Sequence, residues 1–229
     1  MVLDIGCGSG AAAQCVVGAR GDITAVGVDI ARVREPAHPQ VRIIGEPSAE
    51  ELPFADASFD AAISQFGYEY SNIFLAAKEL ARVLRPGAPF SFVVHHSASV
   101  IVRRERAHSE ALHELGSANA ERAFLARNVQ CLARIRDSFP SDRTVAFAAN
   151  CLASKSSGTD DDRRRVWSIV MDALAPDRTL SAALESSCVA PAAMDEWLEP
   201  LRAQFTLAQP ELLLAAGEVL AWKIEGVRA

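Results

Sequence analysis

The chain begins with a short apolar run that leads directly into a glycine-rich turn. Val2–Ile5 reads VLDI, glycines follow at positions 6, 8 and 10, and a helix-favouring stretch starts at Ala11. Glycines allow a close approach of backbone to a ligand, and the first N–H groups of a helix point out of its N-terminus. This strand–turn–helix pattern predicts a nucleotide-type cofactor site and constrains the chain to an α/β fold.

Short β-rich runs alternate with helical or turn segments through about residue 96, which is the pattern of parallel strands joined by crossovers. The predicted strands are Val2–Ile5, Thr24–Asp29, Val41–Gly45, Asp60–Gln65 and Phe90–His95. Ala11–Gly18 and Asn72–Leu84 are predicted helices, the second capped by Ser71 and ended by Arg85-Pro86-Gly87. The sequence therefore predicts a Rossmann-like, doubly wound, mostly parallel sheet.

The pattern of the sequence changes after His96 from alternating strands and helices to helical periodicity alone. Residues 97–204 are rich in Ala, Arg and Glu with helical periodicity, and loop-like breaks fall at 139–141 and 155–158. We therefore expect a Rossmann-like core at 1–96, a helical insertion at 97–204 that caps the substrate, and strands at 205–229 that complete the sheet. Phe205–Gln209 and Val219–Gly226 are predicted to form an antiparallel hairpin, with Glu211–Glu218 between them.

Composition narrows the function classes. The formal net charge is −6 over 229 residues, which disfavours a nucleic-acid partner because such proteins concentrate Lys and Arg. The five cysteines are scattered without metal-ligand spacing, so we expect no metal site and a reduced cytoplasmic setting. The sequence lacks a secretory-type leader and an apolar run long enough to span a membrane, so no membrane partner is expected.

The second anchor of the predicted site is Asp29, at the end of the second strand. A carboxylate there can accept hydrogen bonds from ribose hydroxyls in more than one cofactor class. The first turn also satisfies the dinucleotide pattern if Ala11 is its last small residue, so a nicotinamide dinucleotide stays open at this point. The two cofactor classes are distinguished by the acidic residue inside the first strand, Asp4, together with the segments that follow the third to fifth strands.

These segments resemble class I S-adenosylmethionine-dependent methyltransferases, and among them the type 11 methyltransferase domain family. The resemblance rests on VLDIGCGSG (2–10), VGVDI (26–30), AEELPF with ASFDAAIS (49–64) and ELARVLRPGAPFSF (79–92). These motifs occur in the family's order and spacing over about the first 95 residues.

The resemblance implies S-adenosyl-L-methionine as the cofactor and assigns its contacts. Asp4 and the backbone of Gly6, Gly8 and Gly10 would surround the methionine part, and Asp29 would hold the ribose. Ile30 would lie against the adenine, and Ser48, Ala49 and Glu50 would meet the adenine edge. Gln65 and Phe66 would border the methyl group. One departure is Ser48, because the family usually has an aspartate there, and a neutral hydroxyl accepts more weakly than a carboxylate.

Family members usually carry helices before the first strand, which help to cover the cofactor. This sequence starts on that strand, so we expect a start codon placed too far downstream or a fragment. The alternative is that the helical insertion or a second subunit supplies the cover. The sequence does not fix the oligomeric state.

Candidate catalytic residues follow the fourth and fifth strands. His95 and His96 end the fifth strand, on the side where open α/β sheets bind ligands, and a neutral imidazole can remove a proton from an acceptor. Tyr68 is a further catalytic candidate, and Tyr68, Glu69 and Tyr70 are candidates for lining the substrate pocket. Packing roles are the alternative for each of these residues. Cys7 is expected to pack rather than react, and His38, His108 and His113 are expected at the surface.

The function expected from this resemblance is methyl transfer from S-adenosylmethionine to an O, N, C or S atom of a small-molecule acceptor. Two other classes stay open. One is a non-catalytic protein that binds S-adenosylmethionine or acts as a scaffold through its helical half. The other is an NAD-dependent oxidoreductase, since the glycine turn alone does not separate the cofactors.

Overall fold

The computed structural model describes residues 1–32 and 38–229. The described strands form one sheet in the order β3-β2-β1-β4-β5-β8-β6, with β7 paired to β8. The strands are β1 (Val2–Ile5), β2 (Ala25–Asp29), β3 (Val41–Gly45), β4 (Ala61–Gln65), β5 (Pro89–His95), β6 (Phe205–Leu207), β7 (Glu211–Ala215) and β8 (Glu218–Arg228). β1–β5 are parallel and β8 runs antiparallel to β5, which confirms the predicted Rossmann-like α/β class.

Burial explains why the first strand is apolar at every position except Asp4. All four residues of β1 are buried, as expected for a central parallel strand covered on both faces. The crossovers include α1 (Ala11–Ala19) and α2 (Ile73–Val83). The cap of α2 is Asn72 rather than the predicted Ser71, because the Asn72 side chain accepts a hydrogen bond from the Leu75 N–H at 3.3 Å.

The carboxyl-terminal region contains one strand more than predicted. β6 and β8 pair as expected from the sequence, but part of the segment between them forms β7, which pairs with β8 through residues 211–215. The turn that joins β7 to β8 has positive φ at both Ala216 (51°) and Gly217 (82°). Two left-handed residues in a tight turn match the twist of a hairpin.

The segment between β5 and β6 is helical. The described helices are α3 (Val100–Leu115), α4 (Ala118–Leu125), α5 (Val129–Ser138), α6 (Arg143–Ser154), α7 (Asp160–Ala173), α8 (Ala175–Ser187) and α9 (Met194–Arg202). The predicted breaks at 139–141 and 155–158 fall between α5 and α6 and between α6 and α7. Across residues 1–32 and 38–229, none of the helices combines the length and apolarity required to cross a bilayer.

The chain divides into two compact units, 1–101 with 187–229, and 102–186. The first unit contains the sheet and a core around Phe59, Tyr68 and Phe92. The second unit is helical, with its own core in which the rings of Phe124 and Trp167 stack with centroids 5.8 Å apart. The helical unit is shorter than the insertion expected at 97–204, since α9 belongs with the sheet.

Candidate cofactor and acceptor site

The connections out of β1 and β4 meet at the carboxyl edge of the sheet. From β1 the chain runs outward to β2 and β3 and then returns to β4 on the other side of β1, so β1 and β4 flank a topological switch point. Ligands of open α/β sheets bind in the crevice at such a point. The turns that follow β1 and β4 approach each other so closely here that a Cβ on Gly6 would lie 2.6 Å from the Gly67 Cα.

The glycine turn leaves open space on one side. Gly6, Gly8 and Gly10 all have positive φ, at 65°, 49° and 76°, a conformation that glycine adopts without steric cost. A Cβ on Gly8 would meet no described atom within 4 Å, whereas one on Gly6 would clash. The turn is therefore a backbone cradle that is closed at Gly6 and open at Gly8.

Asp4 lies at the base of this cradle with one carboxylate oxygen satisfied. Its Oδ2 accepts a hydrogen bond from the Ala13 N–H at 3.0 Å. Its Oδ1 is buried and has no hydrogen-bond partner among the described residues. Burial raises the pKa of Asp4 from 3.8 to about 7, with a smaller contribution from the charge of Asp29. Asp4 thus offers a buried acceptor suited to a cationic or hydrogen-bonding ligand group.

Asp29 joins β2 to the glycine turn. Its Oδ2 accepts from the Gly8 N–H at 2.8 Å and its Oδ1 accepts from the Ala31 N–H at 2.9 Å. A carboxylate has about four acceptor positions, so these two bonds leave capacity for hydroxyl donors. Ile30, the next residue, is 77 % exposed, so its apolar side chain is accessible to a ligand.

The residues predicted to meet the adenine edge form a turn after β3. The Ser48 hydroxyl accepts from the Glu50 N–H at 3.2 Å, and the Glu50 Oε1 accepts from the Asn72 N–H at 2.6 Å. Ala49 packs against the main core. The side chains of Ser48 and Glu50 therefore hold the turn in place, and their predicted adenine contacts stay predictions.

Gln65 and Phe66 follow directly from β4. Gln65 is exposed, and Phe66 has a left-handed backbone with φ of 58°. Its ring stacks on the imidazole of His95 with centroids 4.2 Å apart and planes 25° apart. An aromatic residue held at positive φ is a local departure from preferred geometry of the kind found at functional sites.

His95 is fixed from two sides, at the end of β5. The Glu69 Oε1 lies 2.7 Å from the His95 Nδ1 and also accepts from the His95 N–H at 2.9 Å. Both side chains are buried, and the Glu69 Oε2 has no partner in the described part of the chain. A carboxylate acceptor at Nδ1 places the ring proton there and leaves the lone pair on Nε2.

His96 and Tyr68, both predicted as catalytic, are placed differently. The His96 Nδ1 accepts from the Ala98 N–H at 2.9 Å, which uses its lone pair, and burial lowers its pKa. Its ring packs on Trp222 with centroids 4.8 Å apart. Tyr68 lies in the main core against Phe92, and burial raises its pKa above the usual range. These contacts argue against a catalytic role for either residue.

The remaining sequence expectations concern thiols, metals and surface histidines. Burial raises the pKa of the Cys7 thiol to about 12, and a Cβ on Gly27 would lie 2.6 Å from the Cys7 Sγ, so Cys7 packs against β2. The described residues hold no cluster of His, Cys, Asp and Glu suited to a metal ion. His108, which was expected at the surface, is partly buried, and its Nδ1 lies 2.5 Å from the Asp142 Oδ2.

Comparison with known proteins identifies the first part of the chain. Residues 3–92 match the family described as Methyltransferase domain. Malonyl-[acyl-carrier protein] O-methyltransferase of Pseudescherichia vulneris is 34% identical over 101 residues, which cover 43% of this chain and 40% of that protein. The chain thus spans less than half the length of this relative.

Solved structures agree on the fold. A SAM-dependent methyltransferase from Aquifex aeolicus aligns with 100% of this chain and 81% of its own, at a TM-score of 0.50 and 11% identity. A 16S rRNA adenine-N1 methyltransferase from Catenulisporales acidiphilia aligns with 100% of this chain and 84% of its own, at a TM-score of 0.50 and 14% identity. Similarity at this level of identity shows the fold alone.

Residues 3–92 match the methyltransferase domain family, and the geometry at the tips of β1, β2 and β4 is compatible with this match. The cofactor of this domain type is S-adenosyl-L-methionine. The residues present fit it, because the cradle is open at Gly8 and the Asp4 Oδ1 is a buried acceptor without a partner among the described residues.

Proposed function

We propose that this protein is an enzyme that transfers a methyl group from S-adenosylmethionine to an O, N, C or S atom of a small-molecule acceptor. The observation that carries the proposal is the open glycine cradle between Asp4 and Asp29, within the segment that matches the methyltransferase domain. The five cysteines are free thiols, which supports the cytoplasm as the setting for this activity.

The roles of individual residues belong to this proposal. Asp4 and the backbone of Gly6, Gly8 and Gly10 bind the methionine part, and Asp29 binds the ribose. Ile30 covers one adenine face, Ser48, Ala49 and Glu50 border its edge, and Gln65 and Phe66 border the reacting end. The bound cofactor supplies a methyl group already activated on a sulfonium. The main task of the protein is then to hold the acceptor in line, which contributes several kcal/mol through orientation.

His95 is the residue we propose to accept a proton from the acceptor when the reaction requires it. Glu69 at Nδ1 leaves the Nε2 lone pair as the basic position. The stacked Phe66 ring restricts rotation of the imidazole, so Nε2 keeps a defined direction. Proton removal of this kind contributes about 10²–10⁴-fold to a rate.

The choice of a small molecule as acceptor rests on charge. The net charge of −6 is unfavourable for a phosphate backbone. The structural similarity to an rRNA methyltransferase shows a shared fold and gives no information on the acceptor of this chain. Likewise the activity of the malonyl-carrier-protein relative applies to that protein, of which 40% is matched.

Cofactor binding can be measured without knowing the acceptor. Calorimetry with S-adenosylhomocysteine should show binding by the wild-type chain and at least about tenfold weaker binding by Asp29→Ala, since loss of one charge-assisted hydrogen-bond acceptor costs about 1.5–3 kcal/mol. The matched control is Asp22→Ala. Asp22 lies in the turn before β2, at the end of the strand away from Asp29, and its exposed carboxylate pairs with Arg20. Equal affinities for wild type and Asp29→Ala would contradict the ribose assignment, and absence of binding by the wild type would contradict the proposed function.

A further inference from the structure

The helical unit contains a cavity of its own, of about 540 Å³. Its walls come from α3, from the loop between α5 and α6 and from the two helix ends that this loop joins, and every lining residue belongs to 102–186. A cavity of this size falls in the range that accommodates small organic ligands. Ala107, Phe139 and Pro140 supply the apolar part of its lining.

The acidic groups of this cavity already have partners. The Asp142 Oδ1 accepts from the Val145 N–H at 2.9 Å and caps α6, while its Oδ2 lies 2.5 Å from the His108 Nδ1. The Glu105 Oε1 accepts from the Ser181 hydroxyl at 2.6 Å. The other ring nitrogen of His108 lies 3.9 Å from the Asp177 Oδ2. The carboxylates therefore hold α3, α6 and α8 together.

The two arginine side chains of the cavity, in contrast to its carboxylates, have no partner among the described residues. Arg104 and Arg143 line it and are exposed, and neither guanidinium has a hydrogen bond or ion pair with any described residue. The lining carries two arginines and two carboxylates, so its formal charge is balanced. What distinguishes the two signs is that the guanidinium donors are unused and the carboxylate acceptors are engaged.

We infer that this cavity is a binding site for a small amphipathic anion, with a carboxylate or phosphate group bound by Arg104 and Arg143 and an apolar body against Phe139. The planar guanidinium presents donors that match both oxyanions. The apolar lining favours a ligand with a hydrocarbon portion over a bare ion. This inference is independent of methyl transfer, because no residue of the glycine cradle takes part.

The test uses the full chain and four probes that share one hydrocarbon tail: octanoate, octyl phosphate, octanamide and octylamine. Binding is followed by chemical-shift changes of the backbone amides of His108, Ser141 and Arg143 in ¹H–¹⁵N NMR. Octanoate or octyl phosphate should shift these amides, and octanamide should bind about fivefold more weakly, as an exposed ion pair contributes up to about 1 kcal/mol. The stronger of the two anions identifies the head group.

Variants separate the two arginines from general charge effects. Arg104→Gln with Arg143→Gln should weaken anion binding about tenfold. The matched control is Arg164→Gln with Arg165→Gln, a change of equal charge on the exposed face of α7. The inference is overturned if octylamine or octanamide binds as well as the anions, if both double variants behave alike, or if no probe shifts the amides.

Discussion

At the scale of single residues, the burial of Asp4 is unfavourable for folding but suits the binding of a ligand. The fold buries its carboxylate with one oxygen bonded to the Ala13 N–H and the other without a described partner. An unsatisfied buried carboxylate costs folding free energy when it is ionised. The same half-satisfied acceptor is what a cationic ligand group would require, so we interpret the cost as part of the site.

The pH dependence of stability tests this interpretation. Because burial raises the pKa of Asp4 from 3.8 to about 7, the folded chain binds more protons than the unfolded chain between these values, and the free energy of unfolding falls as pH rises through this range. The full shift corresponds to about 4 kcal/mol as an upper limit. Urea unfolding at about pH 5 and about pH 8 should therefore show a larger loss for wild type than for Asp4→Asn.

The control for that experiment is Asp22→Asn. Hydrogen bonding to Arg20 lowers the pKa of this exposed carboxyl, so its titration lies below the range compared, and its variant should follow the wild-type pH profile. Parallel profiles for wild type and Asp4→Asn would contradict the raised pKa of Asp4.

Glu69 is predicted to set the tautomer of His95. In wild type the neutral ring should carry its proton on Nδ1, because the Glu69 Oε1 accepts there. Glu69→Gln replaces the carboxylate by an amide, whose oxygen can still accept at Nδ1, and should keep this tautomer. Glu69→Leu removes the acceptor and should shift the proton towards Nε2. Long-range ¹H–¹⁵N NMR of the imidazole nitrogens distinguishes the two forms.

His96 serves as the internal reference in the same spectra. Its Nδ1 accepts from the Ala98 N–H, so its proton should stay on Nε2 in wild type and in both Glu69 variants. An unchanged His95 tautomer in Glu69→Leu would show that Glu69 does not orient the ring.

At the candidate site, the positions of the residues are easier to predict from sequence than the roles of their side chains. Asp4 and Asp29 were recognisable because each sits at a fixed place in a strand–turn motif. The pairing of Glu69 with His95 depends on two segments 26 residues apart, and no local pattern encodes it. Tyr68 illustrates the converse, because a sequence that places an aromatic residue beside a site does not reveal that the ring turns into the core.

At the scale of elements, the contact between the turns after β1 and β4 depends on two glycines. A Cβ on Gly67 would lie 2.7 Å from the Gly6 Cα and 2.8 Å from the Gly6 carbonyl oxygen. Backbone cannot yield as a flexible side chain can, so Gly67→Ala should lower the free energy of unfolding by about 1–3 kcal/mol and weaken S-adenosylhomocysteine binding. Thermal unfolding and calorimetry on the same samples measure both effects.

Gly18→Ala is the matched control for Gly67→Ala. Gly18 lies in α1, and an added Cβ would meet no described atom within 4 Å. Alanine is the better helix former by about 1 kcal/mol, so this variant should be as stable as wild type or more stable. A stable Gly67→Ala variant with normal binding would show that the two turns have room to separate.

Strands and helices are predictable from the sequence where the local signals are strong. The five parallel strands were predicted within a residue of their observed ends because each apolar run is bounded by turn residues. The sequence does not predict β7, because ELLLA lacks both the alternation and the β-branched residues typical of strands. The strand exists because it pairs with β8 across a tight turn, which is a tertiary effect that overrides propensity.

At the scale of the whole molecule, the segment by which the chain leaves the sheet unit is hydrogen-bonded to the segment by which it returns. The Val189 N–H donates to the His95 carbonyl at 2.8 Å, and the Ser97 N–H donates to the Val189 carbonyl at 3.2 Å. The Trp222 indole N–H also donates to the Val189 carbonyl, at 3.1 Å. The two connections to the helical unit are therefore anchored side by side within the sheet unit.

This anchoring predicts that the helical unit can be removed without unfolding the sheet. Replacing residues 102–186 by a short glycine–serine linker should leave a protein that unfolds cooperatively and binds S-adenosylhomocysteine, because the sheet unit keeps its own core and the whole glycine cradle. The same deletion should abolish the anion binding assigned to Arg104 and Arg143. Circular dichroism, thermal unfolding and calorimetry provide the readouts. A deletion variant that fails to fold would show that the sheet depends on the helical unit for its stability, whereas a folded variant without cofactor binding would place part of the cofactor site in residues 102–186.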